Sequence, residues 1–195
     1  NNAAKQVGPR LGANKVVACN TIPQLIETIE YLNENKISVT VDNLGEFVTT
    51  EQESQQAKQE ILEIMEAINQ YQVDAHMSVK LSLLGSEFDL ELAYQNLREI
   101  LLKANEYGNM HINIDTEKYD SLQQIIEVLD RLKGEFKNVG TVIQAYLYDA
   151  EKLIDKYPEL RLRLVKGAYK EDASIAYQTK AVSYTHLTLP TNREV

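Results

Sequence analysis

The chain has 195 residues, 44% of them hydrophobic, which is long and apolar enough to bury a sizeable core. Acidic residues outnumber basic ones by 29 to 20 and no stripe of lysine and arginine occurs, which argues against nucleic acid as a partner. One cysteine, Cys19, excludes an internal disulfide, no secretory leader pattern opens the chain and the apolar runs are too short to cross a membrane, so a cytoplasmic location is expected.

Helical and strand patterns alternate along the chain, which is typical of a parallel sheet covered by helices. Helices are predicted to begin near Thr21, Thr50, Asp89, Ser121 and Ala150. The predicted strands are residues 37–44, 77–83, 111–115, 141–146 and 160–166. The starts at Thr21, Thr50 and Ser121 have a Glu or Gln three residues later, the capping-box pattern, and Gly108 and Gly134 are predicted to end helices.

Polar side chains lie at or near the end of every predicted strand. These residues are Asp42, Lys80, Asp115, Gln144 and Arg163. Barrels of the (β/α)8 type build their active sites at this rim, so the pattern favours a barrel over an open doubly wound sheet. A closed barrel needs roughly 250 residues. The sequence therefore predicts an α/β fold, an incomplete (β/α)8 TIM-type barrel of about five strand-helix units in one domain.

Three of these strand ends carry candidate functional groups, and each has a purely structural alternative. Lys80 lies between apolar residues of a strand. Its side chain either projects into a binding site or packs its aliphatic part against the strand and reaches solvent with its ammonium group. Asp115 and Thr116 end a strand, where an acid binds substrate or caps the next helix. Gln144 interrupts an apolar strand, and its amide needs a partner such as a heterocycle edge or neighbouring backbone.

Residues 161–169 are the most specific segment. Arg161 and Arg163 alternate with aliphatic residues, Lys166 follows, and Gly167 lets the backbone approach another group closely. This pattern predicts an anion-binding strand end. An ion-paired strand followed by an ordinary turn glycine is the alternative.

Five short strings along the chain resemble successive strands of the proline dehydrogenase family. They are VTVDNLGE at 39–46, SVKLS at 78–82, IDTE at 114–117, IQAYL at 143–147 and RLVKGAY at 163–169. The resemblance extends over residues 8–181. It implies a partial proline dehydrogenase barrel at 1–181, and residues 182–195 match nothing expected there, so we interpret them as a foreign or artefactual tail.

The resemblance implies FAD as the cofactor, bound across the strand ends, and no metal. It assigns catalytic roles to Asp115 and to Arg163, with Arg163 beside the reactive flavin edge. It places Lys80 and Tyr169 at the substrate. The residues that it assigns to cofactor binding are Thr116, Gln144, Arg163, Val165, Lys166, Gly167 and Ala168.

The implied reaction oxidises L-proline to 1-pyrroline-5-carboxylate and passes electrons to a quinone, so membrane contact is expected to be peripheral, at the inner face. The family barrel continues through three more strands and a helix with paired arginines, and the chain is expected to be cut at both ends. Two alternatives stay open. The chain is an inactive fragment of that enzyme, or a barrel lyase that forms a Schiff base through Lys80 or Lys166.

Overall fold

Helices and strands alternate through the part of the chain that the structure, a computed structural model, describes: residue 19, residues 21–45 and residues 48–179. The α-helices there are Ile22–Glu34 (α1), Glu51–Tyr71 (α2), Leu90–Glu106 (α3), Tyr119–Leu132 (α4) and Ala150–Lys156 (α5). The strands are Val39–Asp42 (β1), Ala75–Val79 (β2), Ile112–Ile114 (β3), Val139–Gln144 (β4) and Arg161–Val165 (β5). A 3-10 helix, Leu81–Leu84, separates β2 from α3.

The five strands form one parallel sheet in the order β1-β2-β3-β4-β5. Every strand pairs with the next one along the chain, so the order does not reverse as it does in a doubly wound sheet. The sheet also curls. Arg161 on β5 reaches across β4 and β3, and its guanidinium nitrogen lies 3.4 Å from Nε2 of His76 on β2. Consecutive parallel strands that curl in this way form part of a barrel wall.

The two faces of the curled sheet differ in chemistry. The outer face packs against the helices through strand residues Val41, Met77, Val79, Ile112, Ile114 and Val139. The helices contribute Ile29, Ile61, Met65, Leu97, Ile100 and Leu129 to the same core. Because side chains alternate along a strand, the residues between these positions face inward, and several of them, including Ser78, Asn113 and Gln144, are polar and buried. The core thus lies outside the sheet and leaves the concave face for chemistry.

Local capping starts two of the helices as predicted. Thr21 accepts a hydrogen bond from the Gln24 backbone N–H at 3.4 Å. Thr50 accepts one from the Glu53 N–H at 3.2 Å, and the Glu53 carboxylate accepts one from the Thr50 N–H at 3.1 Å. The capping box predicted for Thr50 is therefore confirmed.

Replacing Thr50 by alanine is expected to lower the free energy of unfolding by about 1 kcal/mol, because an N–H at the start of α2 loses its acceptor. Ser121→Ala is the matched control, since Ser121 lies inside α4 and donates its hydroxyl to the Lys118 carbonyl. Urea unfolding measures both variants. An equal loss in the two would contradict the capping assignment.

Two sequence predictions about element boundaries are wrong. The second strand ends at Val79, and the apolar run after Lys80 forms a buried 3-10 helix that turns at Gly85, whose φ is +108°. Ser121 does not cap α4. That helix begins at Tyr119, whose N–H donates to the Glu171 carboxylate at 2.9 Å. An acceptor distant in sequence thus replaces the local cap.

Gly108 has a φ of +74° just after α3, as its predicted role in ending a helix requires. α4 ends at Leu132 without a left-handed residue at Gly134. The predicted tail at 182–195 lies outside the described residues. In the described part of the chain, no helix is both long and apolar enough to cross a membrane.

Two histidines and an arginine meet at the amino ends of the strands. The rings of His76 and His111 contact each other edge to face, with centroids 5.8 Å apart. Burial, followed by the charge of Arg161 and the neighbouring His76, lowers the pKa of His111 from 6.5 to about 4. Burial and Arg161 lower the pKa of His76 in the same direction. The folded state therefore favours neutral imidazoles at this end of the sheet.

We expect acid to destabilise the fold through His111. Its pKa is lower in the folded state, so the unfolded chain binds a proton first and stability declines as pH falls from 6.5 to about 4. The full difference corresponds to about 3 kcal/mol, and we expect roughly half of that because the ring is half-buried and water screens its charge. Urea unfolding at pH 7 and pH 4 measures the decline, and His111→Gln should reduce it. An unchanged decline in that variant would contradict the assignment.

Candidate active site

A cavity of about 620 Å³ opens at the carboxyl ends of the strands. All ten side chains or backbone segments predicted from sequence to form the site line it: Lys80, Asp115, Thr116, Gln144, Arg163, Val165, Lys166, Gly167, Ala168 and Tyr169. Asp42 and Val142 complete the lining. The volume falls in the range of small-molecule and cofactor sites, which is roughly 300–1,000 Å³. The structure thus brings the predicted residues together, and the individual roles assigned to them stay predictions.

Four charged side chains of alternating sign cross the cavity wall from β1 to β5. Lys80 Nζ lies 2.7 and 2.6 Å from the two carboxylate oxygens of Asp42. It also lies 3.9 Å from Oδ2 of Asp115. A guanidinium nitrogen of Arg163 lies 2.6 Å from Oδ1 of Asp115. We call Asp42, Lys80, Asp115 and Arg163 the charged row.

The charged row exists because its residues lie close together in strand register. Lys80 and Asp115 follow the paired residues Val79 and Ile114, and Asp42 lies opposite Ser78, two residues before Lys80. Asp42 ends β1, Lys80 follows β2 and Asp115 follows β3, where its N–H donates to the Val79 carbonyl at 2.8 Å. Arg163 comes from the middle of β5 and has a long side chain, about half of which is exposed to solvent. The side chain of Asp115 is 15% exposed, so its carboxylate is the best shielded of the four. Electrostatic interactions with a ligand are strongest there.

The loop after β3 contains one polar group that a bound ligand would satisfy. The Thr116 hydroxyl is buried, yet it has no hydrogen-bond partner among the described residues. Gln144, only 4% exposed, donates its amide to the Glu117 carbonyl at 3.0 Å and so fixes this loop to β4. Buried hydroxyls in folded proteins are nearly always paired, so the unpaired Thr116 marks a position for a bound polar group. This observation fits the cofactor contacts predicted for Thr116 and Gln144.

The segment after β5 is held to the end of β4 by backbone pairing. Ala145 N–H donates to the Val165 carbonyl at 2.7 Å, and Tyr146 N–H donates to the Lys166 carbonyl at 3.2 Å. Gly167 then turns with a φ of +101°, and a Cβ added there would lie 2.3 Å from the Tyr146 ring. The group that Gly167 approaches closely is therefore an aromatic ring of the protein. Packing against Tyr146 therefore explains why glycine occupies this position, in addition to the predicted cofactor contact.

Tyr169 lies at the mouth of the cavity, with 39% of its surface exposed. Burial of the hydroxyl, followed by the negative charge of Glu117, raises the pKa of Tyr169, and the positive charge of Lys80 partly offsets this rise. The phenol is therefore neutral near pH 7 and available as a hydrogen-bond donor.

Sequence reasoning missed Val142 and the ring of Tyr146. Val142 lies two residues before Gln144 on the same strand, so alternation of strand side chains could have found it. Tyr146 packs beneath Gly167 through a contact between separate strands that leaves no signal in sequence spacing.

The chain is similar to known proteins over most of its length. Residues 25–188 match the family model described as Proline dehydrogenase. The chain belongs to the proline dehydrogenase family. It is 40% identical to Proline dehydrogenase 1 of Bacillus subtilis (strain 168) over 185 residues, which is 94% of this chain and 61% of that protein. It is 34% identical to Proline dehydrogenase of Deinococcus radiodurans over 178 residues, 87% of this chain and 56% of that protein.

Solved structures agree with this family assignment at the level of the fold. Proline utilization A (PutA) from Bdellovibrio bacteriovorus, inactivated by N-propargylglycine, superposes with a TM-score of 0.80 at 23% identity over 89% of this chain and 23% of that one. PutA with proline bound in remote sites gives a TM-score of 0.71 at 22% identity over 88% and 21% of the two chains. The predicted α/β fold, an incomplete TIM-type barrel, is confirmed. The chain spans about three fifths of the Bacillus proline dehydrogenase.

Proposed function

We propose that this chain carries the cofactor site and much of the substrate site of an enzyme that oxidises L-proline to 1-pyrroline-5-carboxylate with FAD and passes electrons to a quinone. Membership of the proline dehydrogenase family implies a flavin in general. The observation that carries the proposal is the charged row beside the unpaired, buried Thr116 hydroxyl in one cavity. The relatives from Bacillus subtilis and Deinococcus radiodurans are named proline dehydrogenases, which supports proline as the substrate.

When bound, FAD would supply the acceptor for the hydride that leaves proline. Thr116 and Gln144 would hold the cofactor through hydrogen bonds at the ends of β3 and β4. Residues 165–168, at and just after the end of β5, would contact the cofactor along one side. Lys166 brings a positive charge suited to phosphate. The Arg163 guanidinium lies at the cavity wall, where it would stabilise negative charge that develops during the reaction, and Asp115 holds it in position.

Lys80 would bind the proline carboxylate beside Tyr169. Both carboxylate oxygens of Asp42 lie against its ammonium group, so Asp42 fixes Lys80 in one orientation. A Schiff-base lyase needs a lysine amine that is free to reach the carbonyl carbon of its substrate. The ion pair with Asp42 therefore weighs against the lyase alternative at Lys80.

The deciding experiment adds FAD to the purified chain, removes free flavin by gel filtration and then adds L-proline without a final acceptor. The proposal expects retained flavin whose absorbance near 450 nm bleaches with proline and returns when a soluble quinone is added. Retained flavin that does not respond to proline would refute the substrate. Loss of flavin on the column would assign the chain to the inactive-fragment alternative, and covalent trapping of a carbonyl compound by borohydride would favour the lyase.

A further inference from the structure

A buried polar pair lies below Lys80 and Asp115 on the concave face, outside the lining of the cavity. Ser78 on β2 is 1% exposed, and Asn113 on β3 is 4% exposed. The two residues face each other in register across the neighbouring strands. The Asn113 side-chain amide donates to the Ser78 hydroxyl oxygen at 3.1 Å and to Oδ1 of Asp115, also at 3.1 Å. Neither residue has a role in the proposed function.

These contacts use both donors of the Asn113 amide. Ser78 fixes one of them, so the other points up the concave face to Asp115, two residues further along the chain. The same Asp115 oxygen accepts from Arg163 at 2.6 Å. The second oxygen, Oδ2, is left on the side of Lys80, at 3.9 Å. One carboxylate oxygen thus has donors from below and from the side, which restricts rotation of the whole group.

We propose that Asn113, held by Ser78, is a positioning residue for Asp115; this inference rests on the proposed function. It fixes the carboxylate so that Oδ1 binds Arg163 while Oδ2 faces Lys80 and the cavity. Ser78 and Asn113 both belong to strands packed on the rigid outer core, whereas Arg163 is about half exposed and lies on β5, at the edge of the described sheet. The Asn113 amide therefore holds the Asp115 carboxylate in one position, which the exposed Arg163 side chain cannot do alone.

A purely structural role for the pair makes a different prediction from a positioning role. Replacing both members of a buried hydrogen-bonded pair by apolar groups of similar size is often close to neutral for stability, because no polar group is left unpaired. A structural pair can therefore be removed without consequence for Asp115. A positioning pair cannot be removed without releasing the carboxylate.

The test compares Asn113→Leu and the double variant Ser78→Ala/Asn113→Leu with Asn138→Leu. Asn138 is the matched control, since it is 7% exposed and donates to the Met110 carbonyl at 2.9 Å near the amino ends of the strands, away from the cavity. On the chain without FAD, the 13C resonance of the Asp115 carboxyl carbon is expected to move in both Asn113 variants and to stay in place in the control. With FAD bound, kcat for proline should fall about 10- to 100-fold in the Asn113 variants, since displacement of a catalytic group by about 1 Å has effects of this size.

A double-mutant cycle with Asp115→Asn separates positioning from general damage. If Asn113 acts through Asp115, Asn113→Leu has little further effect on kcat in the Asp115→Asn background. Independent, multiplying losses would overturn the proposal, as would an unmoved Asp115 resonance in Asn113→Leu. If the wild-type chain fails to bind FAD or to oxidise proline, the proposed function fails, and the carboxyl resonance still decides the positioning role.

Discussion

Under the proposed function, replacing Arg163 by methionine is expected to lower the rate of proline oxidation about 100- to 1,000-fold, the size of effect seen when a donor that stabilises developing negative charge is removed. Methionine keeps most of the aliphatic volume and removes the guanidinium. The loss leaves Oδ1 of Asp115 with Asn113 as its remaining donor among the described residues. Steady-state reduction of a soluble quinone by proline measures the effect, and flavin titration measures cofactor affinity beside it.

Arg161→Met is the matched control for this substitution. Arg161 lies two residues earlier on β5 and faces inward like Arg163, but its side chain contacts His76 at the amino ends of the strands. The same charge is removed from the same strand, far from the cavity lining. We expect proline oxidation within about twofold of the wild-type rate, in line with an ordinary exposed substitution. Equal losses in the two variants would contradict the role assigned to Arg163.

The place of the candidate site follows from sequence because parallel strands in sequential order end at one rim. Lys80 and Asp115 each follow a strand, and Gln144 ends one, so their positions at the rim depend only on correct strand assignment. The polar residues at five successive strand ends also predict the barrel. The sequence does not predict which charged side chains at the rim contact each other. Lys80 contacts both oxygens of Asp42, for example, while Arg163 contacts Asp115. Those contacts depend on the curl of the sheet.

Two features that sequence reasoning misassigned depend on partners distant along the chain. The apolar run after Lys80 has a strand-like composition, yet it is a 3-10 helix that fills the space under α2 and α3, where all four of its residues are buried. The start of α4 lacks a local cap because Glu171 supplies the acceptor from 52 residues away. Asn113 likewise reads as one polar residue in an apolar strand. Its proposed role depends on a hydrogen bond to Ser78, 35 residues earlier.

Gly167→Ala is expected to lower the free energy of unfolding by about 2–5 kcal/mol and to abolish flavin retention. Two effects add at this position. A non-glycine residue at a φ of +101° is strained by about 1–3 kcal/mol, and the added methyl group, 2.3 Å from the Tyr146 ring, forces repacking of similar magnitude. The displaced segment carries Lys166 and Ala168, which line the cavity.

Two other glycines separate these effects. Gly108 has a φ of +74° with open space around an added Cβ, so Gly108→Ala reports backbone strain alone and should lose about 1 kcal/mol. Gly134 has neither a positive φ nor a close neighbour, and Gly134→Ala should change stability by less than about 0.5 kcal/mol. Urea unfolding of the three variants should therefore rank Gly167 first, Gly108 second and Gly134 last. If Gly167→Ala lost no more than Gly108→Ala, the Tyr146 ring would yield at little cost, and the glycine would be explained by its backbone conformation alone.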